Sequence, residues 1–168
     1  MKSLLIAAVL LFPWLNAVSA QTAAGPAPHL YDPKANAQAQ IDSAIGRARK
    51  EHKNVLLQVG GNWCIWCTRF YNFVAASDTL RKLQDGNYVS VHLNFSPENK
   101  NEPILAKLGF PQRFGFPVFV ILDESGVRIH TQNSGYLEEG KGYNSAKVAE
   151  FFRQWSPKAL DPASYKEK

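Results

Sequence analysis

The chain has 168 residues, 45% of them apolar and 20% charged, which is enough for one buried core and too short for two ordinary domains. Ten Phe, six Tyr and four Trp argue against disorder, and eleven Gly and ten Pro without a period exclude collagen-like and low-complexity classes. The net charge of +5 comes from scattered Lys and Arg; the densest spot, Arg47-Ala48-Arg49-Lys50, reads as the solvated end of a helix, so no nucleic-acid partner is expected.

Met1 and Lys2 precede an apolar run from Leu4 to Leu15 and the small residues Val18-Ser19-Ala20, the pattern of an export signal cleaved after Ala20. A retained membrane anchor is the competing reading, but the run is well short of the roughly 20 residues a spanning helix needs. No Cys follows Ala20 to carry a lipid, and there is no twin-Arg pair. The expected organisation is a signal peptide over 1–20, a flexible leader over 21–33, a folded domain over 34–157 and a frayed tail over 158–168. No stable membrane insertion is expected after cleavage. The expected location is oxidising, periplasmic or secreted.

Between Lys34 and His52, Ile41, Ala44, Ile45 and Ala48 at helical spacing predict a first helix. Val55 to Val59 is a short apolar run suited to a buried strand. Gly60-Gly61-Asn62 reads as a loop, after which Phe70, Phe73 and Val74 mark a second helix with Cys64 near its start. Ser77-Asp78 caps a further helical stretch through Leu83, Asp85-Gly86-Asn87 reads as a turn, and Tyr88 to Phe95 as a strand. A polar loop over Ser96 to Glu102 leads to a brief helix from Pro103 to Leu108, ended by Gly109. Phe116 to Asp123 is the most apolar strand candidate, turning at Glu124-Ser125-Gly126 into an edge strand from Val127 to Thr131. Asn144 or Ser145 caps a last helix with Val148, Phe151, Phe152 and Trp155 on its apolar face, and Pro157 stops it. A strand–helix–strand crossover followed by a hairpin predicts an α/β domain with a mixed central sheet and helices on both faces.

Only two cysteines are present, in Cys64-Ile65-Trp66-Cys67 after Trp63, where a buried strand passes through a glycine loop into a helix. A first cysteine at a helix N-terminus meets unpaired N–H groups and the dipole, which favour its thiolate. A second thiol three positions on can attack the mixed disulfide that the first one forms. Two other readings compete. A structural staple across so short a loop contributes only about 2 kcal/mol in the chain-entropy treatment. Half of a metal site needs two more ligands, whereas His29, His52, His92 and His130 are dispersed without ligand spacing, so no metal is expected. A redox pair is the preferred reading.

Trp63-Cys64-Ile65-Trp66-Cys67 after Val55–Val59, with Gly115-Phe116-Pro117 before Val118–Leu122, resembles the thioredoxin-like superfamily. The nearest likeness is to secreted bacterial proteins of the DsbD C-terminal-domain and DUF255-like type, over about Lys34 to Trp155. The resemblance implies a thioredoxin fold of about four strands. It further implies that a cis bond precedes Pro117 and that the backbone of Phe116 pairs with an extended substrate segment. Trp63 and Trp66 then flank the substrate. Many family members carry a buried acid six residues before the first cysteine; Gln58, which cannot titrate, stands there. A lysine is usual on the next strand, where this chain has His92, a candidate proton shuttle with His130 as a weaker one.

The expected function is protein thiol–disulfide exchange through a Cys64–Cys67 redox-active disulfide, without another cofactor. The expected partners are protein thiols and disulfides and an upstream thiol reductant, with the chain a monomer on the reducing side. The alternatives are a binding module with an inert disulfide, docking clients on Trp63, Trp66, Phe114 and Phe116, and a metal carrier. An exchanging enzyme reduces insulin with a dithiol donor, and a binding module does not.

Overall fold

The computed structural model describes residues 29–166, so the expected signal peptide lies outside the described residues. Its centre is a sheet in the order β2-β1-β3-β4, in which β1 (Asn54–Gly60) runs parallel to β2 (Tyr88–Asn94) and antiparallel to β3 (Val118–Leu122). β4 (Arg128–Asn133) pairs antiparallel with β3 at one edge. Every residue of β1 and β3 is buried, as expected of central strands covered on both faces.

Side-chain alternation divides the core in two. Val55, Leu57, Val59, Val89, Leu93, Val118 and Val120 face α1 (Ala37–Glu51) and α4 (Glu102–Lys107). Leu56, Phe119 and Ile121 face α2 (Ile65–Ala75), α3 (Asp78–Asn87) and α5 (Ser145–Gln154), where Phe70, Leu80 and Phe152 fill the space. Local chemistry sets the helix ends. Asn36, Ser77 and Asn144 each accept a hydrogen bond from a backbone N–H of the first turn, satisfying a donor the helix itself cannot.

Three local expectations are corrected. Asp85-Gly86-Asn87 is the last turn of α3 rather than a separate turn after it: Asn87 Nδ2 donates to Leu83 O, and Tyr88 N donates to Gln84 O while its backbone is already extended. Pro157 does follow the end of α5, but it also opens a further turn, α6 (Pro157–Leu160), with the Ser156 hydroxyl as cap. Proline suits that first position because its missing N–H has no partner there anyway. The expected frayed tail is accordingly structured through Tyr165, whose hydroxyl donates to Ala159 O. One element was not expected at all: a small hairpin, β5 (Glu138–Glu139) and β6 (Gly142–Tyr143), whose strands are too short for alternation to reveal.

Candidate functional site

β1 delivers the chain to Gly60 in the middle of the sheet, and Cys64 N closes the following turn by donating to Gly61 O at 2.9 Å. Cys64 is the N-cap of α2, with extended backbone (φ −87°, ψ 101°), and is disulfide-bonded to Cys67. Its Sγ accepts a hydrogen bond from Cys67 N at 3.2 Å. A sulfur in this position meets a donor and the positive end of a helix, both of which favour the thiolate once the disulfide opens. Cys67 is fully buried and Cys64 is 5% exposed. Cys64 is thus the outer sulfur, though more covered than a position at an open helix start suggests.

The cover comes from a residue that sequence reading placed in a flexible leader. Tyr31 is 3% exposed and packs with Cys64 and Cys67, joined by Leu30, Trp66 and Phe116. Asn62 holds its main chain from both sides: Tyr31 N donates to Asn62 Oδ1 at 3.1 Å and Asn62 Nδ2 donates to Tyr31 O at 2.8 Å. Asn99 Nδ2 donates to Pro33 O at 3.0 Å. The expected leader is therefore wrong for residues 30–33, which form a strap over the cysteines. Gly60 makes room for it: a Cβ there would collide with Cys67 Sγ and stand 2.9 Å from the Tyr31 hydroxyl.

Gln58, in the position expected for an acid, is buried behind the pair. Its amide nitrogen donates to the Tyr31 hydroxyl at 2.8 Å and to Cys67 O at 3.2 Å. Burial pushes the Tyr31 phenol far above its ordinary range, so it remains protonated. His92 lies beside Gln58 in the β1–β2 register, on the same face of the sheet. Its ring sits 5.4 Å from that of Tyr31 and 5.8 Å from that of Tyr71, and burial holds its imidazole below the usual histidine range. A cavity of about 240 Å³ lined by Gln58, Tyr71, Arg81, Ser90 and His92 adjoins this side. His130 is elsewhere: it stacks on Trp155 at 4.0 Å and packs near Phe151, under α5. The sheet pairing puts it opposite Ile121, away from the β1 end that carries the cysteines, so it drops out as a shuttle.

The Phe116–Pro117 peptide bond is cis, and Phe116 is gathered with the cysteines. The Phe116 ring meets the edge of Trp63 at 5.4 Å and stacks on Phe95 at 4.8 Å. Trp63 is 55% exposed, its indole N–H donating to Phe95 O at 2.8 Å. Beside it lies a mainly apolar cleft of about 570 Å³, lined by Pro33, Asn62, Phe95, Pro97 and Lys100 among others. Trp66 turns the other way, half-buried between the Tyr143 ring at 5.7 Å and the Arg69 guanidinium at 4.7 Å. The structure thus gathers Cys64, Cys67, Trp63, Phe116, Pro117 and Gln58, with His92 one ring further out and Trp66 on the far flank. Tyr31 and Asn62 are the members that sequence reading missed. The one available signal was a Leu-Tyr pair in an otherwise small-residue leader. Among the described residues no group of three or more His, Cys, Asp or Glu gathers to hold a metal, and no helix is long and apolar enough to cross a membrane.

No curated protein sequence matches the chain significantly. Among solved structures, a disulphide isomerase from Xylella fastidiosa Temecula1 is similar, with 24% identity and a TM-score of 0.64 over 74% of this chain and 94% of that one. The oxidised C-terminal domain of DsbD from Neisseria meningitidis is similar at 18% identity, with a TM-score of 0.51 over 71% of this chain and 96% of that one. These likenesses agree with the four-stranded mixed sheet in showing a thioredoxin fold. The family described as Thioredoxin-like matches residues 36–124, which hold β1, the cysteine pair, Phe116–Pro117 and β3. The chain belongs to the thioredoxin-like family.

Proposed function

We propose that the chain is a protein thiol–disulfide oxidoreductase, exported as a monomer and working on the reducing side of exchange in the periplasm. The observation that carries the proposal is Cys64 Sγ capping α2 while Cys67 stands behind it, fully buried. In the reduced protein, the Cys64 thiolate attacks a substrate disulfide, one substrate sulfur leaves as thiolate, and a mixed disulfide forms. Cys67 then loses its proton and attacks Cys64 Sγ. The Cys64–Cys67 bond forms, the second substrate sulfur leaves, and two electrons have passed to the substrate. An upstream dithiol restores the pair, so no further cofactor is required. Trp63 and Phe116 hold the substrate segment beside Cys64, with Pro117 shaping that loop, and His92 takes up the Cys67 proton from the side of the small cavity.

The test is trapping. Cys67→Ser accumulates mixed disulfides with protein substrates, whereas Cys64→Ser accumulates few. A measured potential decides direction: a value near about −270 mV, as in thioredoxin, fits a reductant, and one near about −120 mV, as in DsbA, refutes it. One observation favours a second reading, a binding module whose disulfide is inert: Cys64 is only 5% exposed. That reading requires Cys67→Ser to trap nothing.

A further inference from the structure

The Tyr31 hydroxyl has an unusual position for a residue outside the sheet. It accepts from Gln58 Nε2 at 2.8 Å and, among the described residues, its own hydrogen has no acceptor, the disulfide-bonded Cys67 Sγ included. The other Gln58 amide hydrogen goes to Cys67 O, so the amide is committed and fixes which side of the phenol oxygen is occupied. The Tyr31 hydroxyl and Cys67 Sγ both border the space that a Cβ at Gly60 would fill. The reciprocal Asn62 bonds hold the strap there, and the ring is packed against both cysteines.

We propose that Tyr31 is the hydrogen-bond donor to the Cys67 thiolate during resolution of the mixed disulfide. The inference rests on the oxidoreductase reading for its catalytic meaning, but not for its physics. When the Cys64–Cys67 bond is open, Cys67 Sγ is a buried sulfur with no charged side chain, among the described residues, in the cluster packed around it. Burial alone disfavours its thiolate. A phenol O–H directed at the sulfur stabilises the charged form selectively, because a donor bonds an anion more strongly than a neutral thiol. The phenol keeps its own proton throughout. The Cys67 proton leaves to His92, Cys67 sulfur supplies the electron pair for the new bond to Cys64 Sγ, and the substrate thiolate departs. Besides Tyr31, the nearest titratable groups are His92 on β2, whose ring is 5.4 Å from that of Tyr31, and Tyr71 on α2 beyond it, with Arg69 on α2 and Tyr143 on β6 against Trp66. None of those belongs to the cysteine cluster, whereas Tyr31 is packed on Cys67 and anchored by Gln58.

The test uses the full chain with Cys64→Ala, which leaves Cys67 as the single thiol, titrated by thiolate absorbance with and without Tyr31→Phe. Phenylalanine keeps the buried ring and removes only the donor. The expected result is a Cys67 pKa higher by about one unit in the double variant, a tenfold loss of thiolate near neutrality. With Cys64 intact, Tyr31→Phe slows resolution of the mixed disulfide about tenfold at neutral pH and moves its pH profile upward, while Cys64 alkylation is unchanged. Identical Cys67 titrations overturn the inference, whatever the kinetics. A titration that shifts in a protein that forms no mixed disulfides overturns the oxidoreductase reading and leaves Tyr31 as the donor.

Discussion

Gly60→Ala asks whether the absent Cβ at the end of β1 is what lets the strap and the disulfide coexist. The backbone at Gly60 is not in the left-handed region, so alanine is conformationally acceptable and the effect is steric alone. The added methyl meets Cys67 Sγ and stands 2.9 Å from the Tyr31 hydroxyl, inside normal contact for both. Overpacking of this kind costs about 1–3 kcal/mol. The cost depends on redox state. In the oxidised form Cys67 Sγ is tied to Cys64 and cannot turn aside; in the reduced form it can rotate about its own side-chain bond. Alanine therefore destabilises the oxidised form more than the reduced one, which makes the pair easier to reduce. A difference of about 1.4 kcal/mol raises the potential by about 30 mV. Urea unfolding of both forms gives the two stabilities, and equilibration with glutathione gives the potential independently. Equal costs in the two forms, or a loss below about 0.5 kcal/mol in the oxidised form, refute the reasoning.

Two further outcomes follow from the same site. Burial lowers the His92 pKa, so the unfolded chain binds a proton that the folded chain refuses, and stability falls as pH drops below about 6.5. His92→Gln flattens that acid limb in urea midpoints measured between about pH 7 and 5, although His130, lowered by burial too, preserves part of it; an unaltered limb refutes the assignment. Trp63→Ala removes one hydrogen bond at a half-exposed ring and costs about 1 kcal/mol of stability. It raises KM for protein disulfides about fivefold with little change in Cys64 alkylation, and an unchanged KM removes Trp63 from the substrate surface.

The elements legible in the sequence were those whose signal is local. The apolar run of β1, the alternation of β2 and the spacing Cys64 to Cys67 each specify a structure within a few residues, and Gly115-Phe116-Pro117 carried the loop opposite them. Tyr31 was not legible because nothing near it in the chain buries it. Its socket is made by a missing side chain at Gly60 and the amides of Gln58 and Asn62, which only the folded sheet brings there. Asp85-Gly86-Asn87 misled for the opposite reason. Its composition is that of a turn, yet α3 continues through it because Asn87 bonds back to Leu83 and Tyr88 back to Gln84.

That junction of α3 and β2 has a consequence for how the chain tolerates changes in length. The last helical residue, Asn87, is followed at once by the first extended one, Tyr88, whose buried hydroxyl donates to Phe152 O. No spare residue separates the two elements. A one-residue insertion or deletion here has no slack to consume and must be taken up by β2 itself. Because side chains alternate, a shift of one residue exchanges the faces of the strand. Val89, Val91 and Leu93 would leave the α1 side, and Ser90 and His92 would enter it in their place. The hairpin turn at Asp123–Gly126 can lengthen at the surface, but here a single codon gained or lost would carry His92 to the wrong side of the sheet.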